Sequence, residues 1–125
     1  MKGISKTEVW LSIVVVIGMG AIHLISAPGE FQEAPYLGTL FVLHSLGAVV
    51  AAIGIYRGAK LWGWELGLLL AAGAIVGYVI SRTIGLPGME IEEWINPLGI
   101  LSLVLEALFI VLFIRSRSLQ PVAAK

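Results

Sequence analysis

The sequence contains no cysteine. Disulfide bonds, thiolate metal sites, haem attachment through thioethers and cysteine nucleophiles are therefore all excluded. Glycine-rich phosphate-binding loops are also absent, because the 15 glycines are spread through apolar stretches and turns. No serine or threonine stands in a recognisable nucleophile motif, so the sequence predicts no particular reaction.

Charge is scarce. Charged residues make up 13% of the chain and hydrophobic residues 58%, with a mean hydropathy of +0.98. Soluble domains carry about a quarter charged residues to cover a surface that faces water. Lipid must therefore solvate much of this surface, and a lipid bilayer is the predicted partner. The formal net charge is zero, which argues against nucleic acid, because phosphate binding requires a surplus of Lys and Arg.

Long apolar stretches are abundant instead, and four of them stand out: residues 9–27, 37–56, 61–81 and 97–114. At about 1.5 Å per residue each is roughly 27–32 Å long, close to the ~30 Å of a bilayer core. Pro28 and Gly29 are predicted to end the first helix and Pro35 to open the second. The prediction is one domain, residues 1–125, forming an all-α integral membrane bundle of four transmembrane helices in an up-down-up-down arrangement.

The distribution of Lys and Arg predicts the orientation. Seven basic residues fall at the two termini and in the second connection: Lys2, Lys6, Arg57, Lys60, Arg115, Arg117 and Lys125. Arg82 alone lies near the opposite side. Because basic residues are retained on the cytoplasmic side, both termini are predicted to face the cytoplasm, and the protein to lie in the cytoplasmic membrane.

Small residues recur at helical spacing in the second and third stretches: Gly47, Ala51 and Gly54, then Gly63, Gly67 and Ala71. Such residues let helix backbones approach closely, which favours helix association in lipid. These faces could pack within one chain or between chains. A homo-oligomer or a larger membrane complex therefore stays open.

Ionisable residues inside the predicted spans are few: His23, His44, Glu65 and Glu106. Glu65 lies near the cytoplasmic interface and is expected to reach the headgroups. His23, His44 and Glu106 lie about 6, 10 and 13 Å from the outer ends of their helices, counted from the helix rise. Three different helices thus place an ionisable residue in one layer of the outer half.

This layer can extend toward the outer surface. Tyr78 and Arg82 of the third helix could join it, and Glu30 and Glu33 of the first outer loop could cap it. Polar and ionisable residues inside a membrane normally face the bundle interior or a wet cavity. The whole set is therefore a candidate site rather than a lipid-facing surface.

Several interpretations of the layer compete. It could be structural, with a neutral Glu106 hydrogen-bonded to a histidine, as in an accessory subunit without chemistry. It could bind a divalent metal, because two imidazoles and a carboxylate are common ligands of zinc or non-haem iron, with Glu30 or Glu33 completing the set. His23 and His44 could instead ligate a b-type haem between the first two helices. A path for protons or a small solute is the last alternative.

Three segments carry a resemblance: residues 21–24, 35–41 and 81–87. They resemble segments of small, uncharacterised four-helix bacterial integral membrane proteins. The resemblance covers about a quarter of the chain. It implies the four-span fold and a bacterial cytoplasmic membrane, and it implies no reaction, substrate or cofactor.

The orientation is testable with reporters that are active on one side of the membrane only. A reporter fused after Lys125 should be active in the cytoplasm, and one inserted at Gly88 should be active outside, because the basic residues cluster with the termini. The opposite pattern would overturn the orientation.

Overall fold

The computed structural model describes residues 4–119, with side chains described to Arg117. It is all-helical, in the order α1 (Lys6–Glu33), α2 (Pro35–Tyr56), α3 (Leu66–Thr83) and α4 (Pro97–Leu119). A six-residue π-helical segment, Lys60–Glu65, leads directly into α3. Lys2 and Lys125, two of the basic residues used to predict the orientation, lie outside the described residues.

All four helices are long and apolar enough to cross a membrane, which suggests a multi-pass membrane protein; α3 reaches that length together with the π-helical segment. Each predicted apolar stretch lies inside one of them. Large hydrophobic side chains also remain exposed along the helices, such as Val14, Leu24 and Val111. In lipid such side chains need no burial against protein, because the surrounding solvent is as apolar as they are.

The prediction that α1 ends at Pro28 and Gly29 is wrong. The helix continues through Pro28 to Glu33, and Ala34 alone separates it from α2, which begins at Pro35. A proline inside a helix removes one hydrogen bond, and membrane helices tolerate this when neighbouring groups compensate. Glu30 and Glu33 therefore belong to the last turns of α1, and the prediction that they lie in an outer loop is wrong.

Small residues bring the helices together, as their spacing predicts. On α1, a Cβ added to Gly20 would lie 2.7 Å from the Cβ of Ala48 in α2. The Ser45 hydroxyl donates a hydrogen bond to the Gly20 carbonyl at 2.8 Å across the same contact. Between α2 and the π-helical segment, Gly54 and Gly63 meet backbone to backbone, so that a Cβ on either would lie 2.5 Å from a backbone atom of the other.

Polar contacts link the helix ends. The Tyr36 hydroxyl at the start of α2 donates a hydrogen bond to the Pro87 carbonyl in the connection between α3 and α4. Arg115 near the end of α4 pairs with Glu8 in the first turn of α1. Arg117, in the last turn of α4, pairs with Glu65 at 2.8 Å, and both side chains are partly exposed.

Replacement of Gly63 tests the close backbone approach. Gly63→Ala should lower the stability by about 1–3 kcal/mol, because the added Cβ can be accommodated only by moving backbone. Gly77→Ala is the matched control, since a Cβ there has nothing within 4 Å. Thermal unfolding of both variants in detergent measures the difference, and equal melting temperatures would contradict the packing described here.

Candidate functional site

α1 provides His23, which is 7% exposed. Its Nδ1 lies 2.9 Å from the carbonyl oxygen of Met19, one turn earlier in the helix. A carbonyl oxygen can only accept a hydrogen bond, so the Nδ1 of His23 carries the proton and donates it. In the neutral ring this leaves the lone pair on Nε2 as the available ligand atom.

α2 provides His44 in the opposite tautomer. Its Nε2 lies 3.3 Å from the carbonyl oxygen of Leu70 in α3, and by the same argument it donates. The lone pair then lies on Nδ1. This Nδ1 atom is buried and has no hydrogen-bond partner among the described residues.

The two imidazole rings stack on each other. Their centroids are 3.6 Å apart and their planes are 12° from parallel. The ring of Phe41 flanks His23 at 4.8 Å between centroids. Stacking fixes both ring planes, and the two carbonyl bonds fix which nitrogen of each ring remains available.

α4 provides Glu106, which is 1% exposed. Ser102, one turn earlier, donates a hydrogen bond to the Oε2 of Glu106 at 2.5 Å. One ligand atom from each of His23, His44 and Glu106 lies within 4.8 Å of the other two. Three helices thus bring together the three residues that the sequence places at similar depth, and this buried group could hold a metal ion.

The three residues line a cavity of about 560 Å³. Its walls come from all four helices and are largely apolar, with Ile22, Leu37 and Leu70 among them. Other polar side chains of the wall lie toward the connection between α3 and α4: Glu30, Tyr78, Ser81, Arg82, Glu92 and Asn96. The cavity therefore has mainly apolar walls, with polar groups at the level of the histidines and at the rim.

The remaining residues of the predicted layer are placed as follows. Glu30 lines the cavity, whereas Glu33 lines a separate polar recess at its rim. Neither belongs to the group of three at ligand distance. Tyr78 and Arg82 contact each other, with the guanidinium carbon 3.7 Å from the ring centroid. They form the rim of the cavity rather than part of the histidine layer.

Arg82 is bound by protein groups at this rim. Its Nε donates to the Glu93 carbonyl at 2.9 Å and its Nη1 to the Ser81 hydroxyl at 2.6 Å. Its Nη2 lies 3.6 Å from Glu92. The guanidinium is therefore already neutralised and hydrogen-bonded within the chain.

Sequence reasoning missed the groups that orient the histidines. The Met19 carbonyl could have been found from its position four residues before His23. The Leu70 carbonyl and the Phe41 ring depend on how α2 packs against α3 and α1, and no sequence pattern signals that packing. Glu65, by contrast, pairs with Arg117 away from the three residues.

Comparisons with models of protein families, with curated proteins and with solved structures found no match.

Removal of the Ser102 hydroxyl tests the hydrogen bond to Glu106. Ser102→Ala should destabilise the bundle by about 1 kcal/mol, the usual scale for side-chain hydrogen bonds within membranes. Ser116→Ala is the matched control in the same helix, because the Ser116 hydroxyl donates to the Phe113 carbonyl of its own helix. Chemical unfolding in mixed micelles measures both, and an equal loss in the two variants would contradict a specific role for the Ser102–Glu106 bond.

Proposed function

We propose that this protein is a multi-pass protein of the cytoplasmic membrane that binds a divalent transition-metal ion through His23, His44 and Glu106. The observation that carries the proposal is the buried Nδ1 of His44, an acceptor without a donor, in a group of three ligand-type residues. In a bilayer an unsatisfied polar atom costs several kcal/mol. A metal cation would satisfy it.

Distances support the proposal. Zinc ligands lie about 2.0–2.2 Å from the ion, so two ligand atoms of a tetrahedral site are roughly 3.4 Å apart. One ligand-type atom from each of the three residues lies within 4.8 Å of the other two. A decrease of about 1.4 Å in the longest of these separations would bring the atoms to the spacing of a tetrahedral site.

The hydrogen bonds around the histidines also support it. A histidine that ligates a metal usually donates its other ring N–H to a carbonyl or carboxylate, which fixes the tautomer and orients the ring. His23 bonds the Met19 carbonyl in this way, and His44 the Leu70 carbonyl. Glu106 is oriented by Ser102. Each proposed ligand thus has its own supporting bond.

Three protein ligands leave a coordination position for water or substrate, as in metal sites that are not purely structural. Glu30 or Glu33 would need to move to fill it, because neither is in the group at ligand distance. The open position would face the cavity, where a further molecule has room. Zinc and iron(II) both suit a set of two imidazoles and one carboxylate.

The proposed topology is up-down-up-down with both termini in the cytoplasm. The excess of Lys and Arg at the termini and the second connection supports it. Two contacts also support it. Tyr36 at the start of α2 contacts Pro87 after the end of α3, and Glu8 at the start of α1 contacts Arg115 near the end of α4. In this topology each of these pairs lies on one side of the membrane. The metal group would then lie in the outer half of the membrane, in a protein of the class that the sequence resembles. A lipid bilayer as its surroundings, no binding of nucleic acid, and assembly into a homo-oligomer or larger complex remain predictions.

A structural role is the second candidate, and a specific observation favours it. The stacked rings join α1 to α2, and the bond of His44 to the Leu70 carbonyl joins α2 to α3 at the same level. The bonds of His23 and Glu106 lie within α1 and α4. An accessory subunit without chemistry could use these contacts to fix helix register. The same lone pairs could also accept a proton.

Ligation of a haem by His23 and His44 has less support. Axial histidines must stand on opposite faces of the macrocycle, with the whole ring system between them. Here the two imidazoles stack directly at 3.6 Å. Haem binding would therefore require α1 and α2 to separate, and a Soret band lost on replacement of either histidine would be its signature.

Glu106→Gln separates the metal and structural candidates. The amide keeps the shape and a hydrogen-bonding oxygen but removes the anionic ligand, so stoichiometric binding of Zn²⁺ or Fe²⁺ should be lost. Without metal, the melting temperature should change little. In the wild type, metal at about 100 times its Kd should stabilise the fold by about 2.7 kcal/mol. Calorimetric titration and thermal unfolding of chelator-treated protein in detergent measure both effects.

Glu65→Gln is the matched control, because Glu65 is a carboxylate paired with Arg117 away from the cluster. It should bind metal as the wild type does. If the wild type and both variants melt alike with and without each metal, and Glu106→Leu alone is destabilised, the structural role stands and the metal proposal fails.

A further inference from the structure

The cavity is much larger than a metal ion requires. Its volume of about 560 Å³ falls within the roughly 300–1,000 Å³ of pockets that bind small organic molecules. Such pockets are mainly apolar and contain a few well-placed polar groups. This cavity has that composition, because its walls are mainly apolar and the imidazoles and Glu106 are among its few polar groups.

The cavity opens sideways between α2 and α3. Gly73 and Gly77 lie one turn apart on α3 and line it, and a Cβ added to either would meet nothing within 4 Å. Leu40 and Leu43 of α2 and Leu69 of α3 also line it, yet each is more than half exposed. These residues lie in the apolar parts of their helices, so the opening would face the hydrocarbon of a bilayer.

The polar groups restrict the chemistry of a ligand. The Nδ1 of His44 is an acceptor, so it requires a donor from the ligand when no metal is bound. An anionic head group offers no donor. Arg82 is the cation that would attract an anion, but its guanidinium already contacts Ser81, Glu92 and Glu93. A hydroxyl group can donate its proton to the Nδ1 of His44.

We propose that this cavity binds a lipid-soluble hydroxyl compound, a long-chain alcohol or phenol, which enters between α2 and α3 and places its hydroxyl at His44. The apolar chain lies along Gly73 and Gly77. The inference goes beyond the metal site and does not require an ion. With a metal bound, the hydroxyl oxygen would take the open coordination position at the same end of the cavity.

A long-chain alcohol with a diazirine in its chain tests the proposal by photolabelling of the chelator-treated protein in vesicles. Labelled peptides should map to the cavity walls. Gly73→Leu should lower this labelling about tenfold, equivalent to a tenfold weaker affinity, because its side chain fills the cavity without a clash at the Cβ. Gly77→Leu should do the same. Val76→Leu, on the exposed face of α3 outside the cavity, is the matched control and should label as the wild type does.

Competitors distinguish binding from partition into the protein's lipid-facing surface. Dodecanol should suppress the labelling, whereas dodecane and dodecanoate at the same mole fraction should not. Equal competition by dodecane, or equal labelling of the Gly73, Gly77 and Val76 variants, would overturn the proposal. Metal titration of Gly73→Leu keeps the two hypotheses apart, because this variant should lose the alcohol and retain the metal, whereas Glu106→Gln should lose the metal.

Discussion

Polar atoms buried inside this bundle each need a hydrogen-bond partner, because burial removes them from solvent. Serine hydroxyls meet the constraint by donating to backbone carbonyls, as Ser12 does to Glu8 and Ser45 to Gly20. The side chains of His23 and Glu106 also have partners. Among the described side chains, the Nδ1 of His44 alone is buried without one. An acceptor left unsatisfied in lipid is costly, and this makes it the point at which a ligand would gain most.

Helix packing places that atom where it can be used. The approach of α1 to α2 at Gly20 and Ala48 brings the two imidazoles into contact. The packing of α2 on α3 supplies the Leu70 carbonyl to His44. Further along α3, glycines in place of larger residues leave the cavity open. Close packing at one level and a gap at the next thus create a site with both rigid walls and room for a ligand.

Much of this could be predicted from the sequence, because it depends on composition and on the helix rise. Four apolar helices follow from stretch length, and the similar depth of His23, His44 and Glu106 follows from counting residues. Helix contacts at Gly54 and Gly63 follow from their spacing. The continuation of α1 through Pro28 could not be predicted from the sequence, because the free-energy cost of a proline inside a helix depends on the groups around it. The tautomer of His44 could not be predicted either, because it depends on the carbonyl of Leu70, which is 26 residues away in the sequence. Two partners of Arg82, Glu92 and Glu93, lie in a connection without regular secondary structure, and no pattern in the sequence places them.

The central claim is that two imidazoles and one carboxylate can hold a metal ion together. X-ray absorption spectroscopy of the zinc-loaded protein at the zinc edge tests it directly, because imidazole rings give distinctive multiple scattering. Our account predicts a first shell of nitrogen and oxygen at about 2.0–2.2 Å with scattering from two imidazoles. A first shell of oxygen alone, without imidazole scattering, would contradict it.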